Sequence, residues 1–375
     1  MGRATPEGTR RFAARFGSLE GHFRRPDALE ISSLALGMRS GEPGGVDDLL
    51  YRSAVPQCLE GGVNTFATAL SERIQQSERN LGGALARAFR DGITRRDEVV
   101  VITKGGYLTI DPEVVTSRAE ARRYLLETYV DTGMVDPDRV SQGVHCLEPD
   151  FLRDQIQRSL RNLGLETVDY YLLEEPELLL GETRKQGAEG FRQGMMRAFE
   201  ALEQAVDEGQ IAAYGLATWD GLLRPHTDRH HLAILDLFDW ALEVGGADHH
   251  LHAIQLPYSV AMGEALRLQT QLVPPRGTDA ILGALRDTGT LVLAAAPLVQ
   301  GRALGHLPRS VHEAFPGLES DAQRCLQFVR STPGVTTAVV GMRDPDHIDE
   351  NLALATTPPA SPQTIQSLFT QTQAA

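Results

Sequence analysis

Short apolar runs alternate along the chain with longer amphipathic stretches. The runs Ile31–Leu36, Val63–Phe66, Glu98–Thr103, Val168–Leu173, Ile211–Leu216, His252–Leu256, Thr290–Ala295 and Thr337–Val340 are each four to six residues long. Their near-continuous apolar character predicts strands buried on both faces, as parallel strands are. Between them the helical period predicts Val46–Glu60, Ser77–Phe89, Pro149–Leu163, Arg192–Glu208, Leu232–Val244, Asp279–Asp287, Asp321–Arg330 and Pro345–Ala353. Eight strand–helix alternations predict an α/β chain folded as a closed (β/α)8 TIM barrel; an open doubly wound sheet is the alternative.

The punctuation agrees. Asp91-Gly92 and Glu208-Gly209 close helices, and Asp344-Pro345 opens one with proline at its first position. Three stretches exceed the minimal repeat. Residues 1–30 form an N-terminal arm, expected to be solvated, ahead of a barrel spanning 31–356. Residues 105–148 are a long, lid-like insertion after the third strand, on the face where barrels carry their active sites. Residues 257–278 form a loop with Pro274-Pro275. Residues 357–375, rich in Pro, Thr and Gln, read as a loosely held tail.

Composition narrows the chemistry. Of 375 residues, 36 are basic and 50 acidic, a net charge of −14 that argues against a nucleic-acid partner. No apolar run is long enough to span a membrane, and the Arg-rich start lacks the apolar core of a secretory signal, so a cytoplasmic protein with a small-molecule substrate is expected. The oligomeric state is not legible. Cys58, Cys146 and Cys325 are too few and too scattered for a disulfide framework or zinc site. The histidines at 226, 230, 231, 249, 250 and 252 lack a ligand spacing on one helix face and read as solvated loop residues, with no metal expected. Only two of the basic residues, Lys104 and Lys185, are lysines. Lysine is a compact charge that can shift its pKa, which arginine cannot, so Lys104 at a strand end draws notice.

The strand ends carry a resemblance. Gly62–Ala69 with Ser77-Glu78 and Leu81-Gly82, then Val101–Lys104, Asp169–Glu174, Gly215–Trp219, Gln255, Ala296-Pro297-Leu298 and Val340–Arg343 through Glu350-Asn351, are similar, in order, to the strand-end motifs of the aldo/keto reductases. The resemblance covers about residues 31–356 and implies that family's barrel. It also implies an NADP(H) site, with Gln255 at the nicotinamide carboxamide, Pro297 and Leu298 along the cofactor, and Gly341, Arg343, Glu350 and Asn351 around the adenosine 2′-phosphate and adenine.

The family's chemistry rests on a tyrosine that protonates the carbonyl, a lysine and an aspartate that tune it, and a histidine that orients the substrate. At the matching positions this sequence has Glu72, Lys104, Ala67 and Glu174. Only the lysine is kept. Glutamate at the histidine position resembles the family's steroid ene-reductases, which keep the tyrosine and aspartate. Tyr107 lies three residues past Lys104 and cannot be assumed to replace the phenol. A carboxyl with an ordinary pKa of about 4.3 is ionised at neutral pH and cannot donate a proton. Two carboxyls sharing one ammonium, with Glu175 and Glu177 nearby, can raise one pKa enough to make an acid–base pair. Lys104, Glu72 and Glu174 are therefore the candidate catalytic residues. Three readings follow: an NADP(H)-binding oxidoreductase-type protein with ordinary carbonyl reduction lost or weak; a cofactor-independent lyase, isomerase or cyclase; or a non-catalytic binding or regulatory barrel. Leu178–Leu180 is expected either to line a hydrophobic pocket or to pack under the insertion.

Overall fold

A computed structural model of the chain describes residues 2–115, 117–182 and 187–371; Lys185 lies outside them. Eight parallel strands close a barrel: β1 (Leu34–Gly37), β2 (Thr65–Ala67), β3 (Val100–Gly105), β4 (Val168–Glu174), β5 (Ile211–Ala217), β6 (Leu251–Pro257), β7 (Leu291–Ala295) and β8 (Thr337–Gly341). The outer ring includes α1 (Gly45–Glu60), α2 (Gln76–Arg90), α3 (Pro149–Leu163), α4 (Gly187–Asp207), α5 (Ile234–Gly245), α6 (Asp321–Ser331) and α7 (Pro345–Leu354). Alternation along the strands separates two cores. Ala67, Ile102, Leu172, Ala217, Ala253 and Leu293 fill the lumen, while the intervening residues, such as Phe66, Val101, Leu173 and Leu216, pack outward against the helices.

Local signals explain the element ends. Helix α3 spans the predicted residues because Pro149 occupies its first turn and Gly164, at φ +63°, ends it in the left-handed conformation. The predicted helix 279–287 shrinks to one turn, Ile281–Ala284, since Gly283 weakens it and Asp287 leaves the helical region at φ +63°.

Three further expectations need correction. The predicted first strand is broken: Ile31–Ser32 pairs antiparallel with Phe23–Arg24, and only Leu34–Gly37 joins the barrel. The arm is not a solvated extension. Ala4 is buried in the lumen cluster and its N–H donates to Asp169 at 2.7 Å. Phe12, in a helix over Pro6–Ala14, is fully buried, while Arg11 and Arg15 pair with Glu98. Apolar side chains at these positions outweigh the arginines, whose long stems let the charge reach the surface. The tail likewise folds, as α8 (Pro362–Gln371), with Ile365 and Leu368 buried and Phe369 edge-on to Phe328 at 5.8 Å. Its Ile-x-x-Leu-Phe spacing is an apolar face that outweighs the polar composition.

Candidate active site

The C-terminal ends of the strands converge on Lys104. Thr103 points the other way, donating to the buried Glu78 of α2 at 2.6 Å, and so anchors β3 with Lys104 turned inward. Lys104 Nζ donates to the Thr68 carbonyl at 2.8 Å and to Glu72 Oε1 at 3.2 Å. The pair is nearly dry, with side-chain exposures of 7% and 9%. Glu72 Oε2 is buried without a partner.

Glu72 is placed by an unusual turn. Beyond β2, the N–H of Thr68 and of Leu70 continue the ladder to the carbonyls of Ile102 and Lys104. Arg73, Ile74 and Gln75 then all take left-handed φ values of 49°, 52° and 68°. Such a run of non-glycine residues costs energy and persists only when tied on both sides. Arg73 reaches the Glu42 carbonyl and Asp48, and Gln75 donates to the Ile110 carbonyl at 2.7 Å.

Glu174 ends β4, level with Ala217 and Gln255 across the next two strands. It does not share Lys104 by direct contact, as the sequence led us to expect: its Oε2 accepts from Ser71 at 3.1 Å. Burial pushes its carboxyl up to about 7. Lys104 pulls that value down, while the Glu72 and Glu175 carboxylates raise it. The site therefore combines a buried ion pair with a carboxyl that exchanges its proton near neutrality.

The other acidic residues separate by partner. Glu175 takes a left-handed φ of 43°, turning its side chain to accept from the Tyr107 hydroxyl. Tyr107 thus serves Glu175 and does not stand in for a phenol beside Lys104. Burial and that carboxylate both raise its pKa, so the proton stays on oxygen. Glu177 is tied into the loop: Oε1 accepts from Thr218 Oγ1 and the Trp219 N–H, both at 2.8 Å, with the Asp220 and Gly221 N–H behind them, while burial raises its carboxyl pKa.

The insertion supplies a residue that the sequence did not point to. His145 bridges back to Tyr107 and donates from Nε2 to the Glu174 carbonyl at 2.7 Å. That acceptor fixes the tautomer and leaves Nδ1 buried and unpartnered. Burial lowers the imidazole pKa to about 4, so it is neutral at pH 7. The insertion is held by its own cluster of Tyr129, Val135, Cys146 and Phe151, and Ser141 donates to the Leu178 carbonyl. Leu179 and Leu180 are packed against the main core. Ser71 and His145 were invisible because nothing in their spacing links them to β4.

At the proposed cofactor positions, Gln255 Oε1 and Asn351 Oδ1 are buried and unpartnered. Two orphaned amide oxygens match the amino groups at the nicotinamide and adenine ends of a dinucleotide. Arg343 is not free, as expected for a 2′-phosphate ligand: Nε pairs with Asp47 at 2.6 Å. Asp47 lies in the first turn of α1, where a negative charge is favoured by the helix. The histidines are not all solvated either; His250 bonds Glu203 at 2.7 Å and His252 stacks on His249. Among the described residues, no group of three possible ligands is placed to hold a metal.

The sequence model of the Aldo/keto reductase family matches residues 34–223. No curated protein matches the sequence. Among solved structures, an aldo-keto reductase from Bacillus halodurans in its holo form is 19% identical, with a TM-score of 0.60 over 92% of this chain and 95% of that one. An aldo/keto reductase from Klebsiella pneumoniae, in complex with NADP and acetate, is 18% identical over 94% and 95%, also at 0.60. The glycerol dehydrogenase of Gluconobacter oxydans is 17% identical over 93% and 94%, at 0.62. At these identities the likeness concerns the barrel fold.

Proposed function

Because the chain belongs to the aldo/keto reductase family, we propose that it is an NADP(H)-binding oxidoreductase-type enzyme that has exchanged phenol-centred proton delivery for carboxyl chemistry. The reading rests on one observation: Glu174, held at about 7, beside the buried Lys104–Glu72 pair. A bound reduced nicotinamide supplies hydride. Gln255 and Asn351 would hold the two ends of the cofactor, with Pro297, Leu298, Gly341 and Glu350 along it and Arg343 released from Asp47 toward a 2′-phosphate. Burial pushes the Glu174 carboxyl up to about 7, so a proton given to substrate leaves its carboxyl oxygen. Lys104 keeps Glu72 in place, and Ser71 holds Glu174 Oε2. Without the phenol, ordinary aldehyde and ketone reduction is lost or weak.

The same carboxyl can both give and take a proton, which favours a second reading, a cofactor-independent lyase, isomerase or cyclase using Glu72, Glu174 and Lys104. Titration of the purified protein with NADPH, followed by fluorescence, separates the two. Saturable binding weakened by Gln255→Leu supports the first; turnover without nucleotide that Glu174→Gln abolishes supports the second and refutes the first. A cytoplasmic location belongs to the same proposal, supported by three buried cysteines that are all unpaired. No helix among the described residues is long and apolar enough to cross a membrane.

A further inference from the structure

Buried acceptors without partners gather around the mouth, beside one donor, Arg73 Nη1, on the turn that carries Glu72. Glu72 Oε2, Gln255 Oε1 and His145 Nδ1 accept only, and the Thr68 hydroxyl, also unpartnered, can do either. The side chain of Glu72, whose carboxylate grips Lys104, is more than nine-tenths buried. The donors here are largely committed: Lys104 to Thr68 and Glu72, Ser71 to Glu174, and Tyr107 to Glu175. Lys104 stands among four glutamates at the strand ends, while Arg73 is turned to Asp48 and the Glu42 carbonyl; of the four, Glu177 has Oε1 held by backbone amides and Oε2 without a partner. A neutral carbonyl brings another acceptor to such a site. A ligand that matches it brings positive charge.

Resting on the hydride-transfer reading above, we propose that the substrate is an iminium ion, a cationic C=N compound, in place of a neutral aldehyde or ketone. The electron balance is simpler than for a carbonyl. The hydride pair forms a C–H bond at the iminium carbon, the C=N π pair moves onto nitrogen, and the nicotinamide is oxidised to its pyridinium form. The product is a neutral amine, so the bond-making step needs no proton donor. A carbonyl would instead leave an alkoxide, which needs a proton; the family's phenol is absent here and Glu174 is the group left to supply it. Loss of the phenol and the placing of a buried carboxylate then have one cause: Glu72 stabilises a cation, and nothing has to protonate an oxyanion.

The test pairs two probes with NADPH and the purified full chain: N-methyl-3,4-dihydroisoquinolinium, a fixed-charge iminium, and benzaldehyde. The expected result is a kcat/KM at least about a hundredfold higher for the iminium. Glu72→Gln should lower it about tenfold or more, mainly through KM, the size of loss seen when one member of a close charge pair is truncated. Binding of the unreactive cation N-methylisoquinolinium to the NADPH complex should weaken by a similar factor in that variant, and Glu72→Asp should restore part of it. Saturable NADPH binding with equal or better use of benzaldehyde, or cation binding unmoved by Glu72→Gln, overturns the inference and leaves the parent reading standing. Absence of NADPH binding overturns both.

Discussion

Replacing Glu174 with Gln removes one titration and leaves the shape and the Ser71 bond nearly unchanged, since an amide oxygen still accepts. The carboxyl is raised from an ordinary 4.5 to about 7. A group raised in the folded state contributes stability that is fully present below its unfolded pKa and is lost as pH climbs through its folded one. At about 1.4 kcal/mol per pH unit, the wild-type chain should lose roughly 3 kcal/mol from this residue between pH about 4.5 and 7. Glu174 keeps some solvent contact, so the measured figure should fall toward about 2 kcal/mol. Urea denaturation of both proteins at pH about 5, 6, 7 and 8 reads the difference directly. The variant should gain on the wild type by about 2–3 kcal/mol across that range. Parallel stability curves would show that Glu174 titrates like an exposed carboxyl and would refute the reasoning.

Other outcomes follow from the same contacts. Lys104→Met strips Glu72 of its counter-ion in a dry pocket and should cost about 3–5 kcal/mol in urea melts, with Lys104→Met/Glu72→Gln recovering much of the loss. Glu177→Ala strips the acceptor from Thr218 and the neighbouring amides and should lower stability by about 2–3 kcal/mol, read by thermal unfolding. Asp47→Asn frees Arg343, and because that pair is partly exposed, NADPH should bind about two- to fivefold more tightly with NADH unchanged, measured by fluorescence titration.

The barrel was legible because its strands are continuous apolar runs and its helices carry punctuation such as Pro149 and Gly164. Lys104, Glu72 and Glu174 could be picked out by their places in the family motifs. Their division of labour could not. Which glutamate meets the ammonium depends on the left-handed turn at 73–75, and no sequence rule places three non-glycine residues there. The insertion hid His145 for another reason: its approach to Glu174 is a tertiary contact set by the insertion's own core. The arm and tail were misjudged because polar composition outweighed a few buried anchors, Ala4, Phe12, Ile365 and Leu368. Arg343 was assigned to a phosphate because Asp47, nearly 300 residues away in sequence, gives no local sign of reaching it.

Infrared spectroscopy of the carboxylic acid C=O stretch, compared between wild type and Glu174→Gln, tests the central claim most directly. A protonated-carboxyl band that is present at pH about 6, fades with a midpoint near 7 and is missing from the variant is the predicted result. A band from Glu174 that is already gone above pH about 5 would contradict the account, for the mouth would then hold no carboxyl able to give up a proton near neutrality.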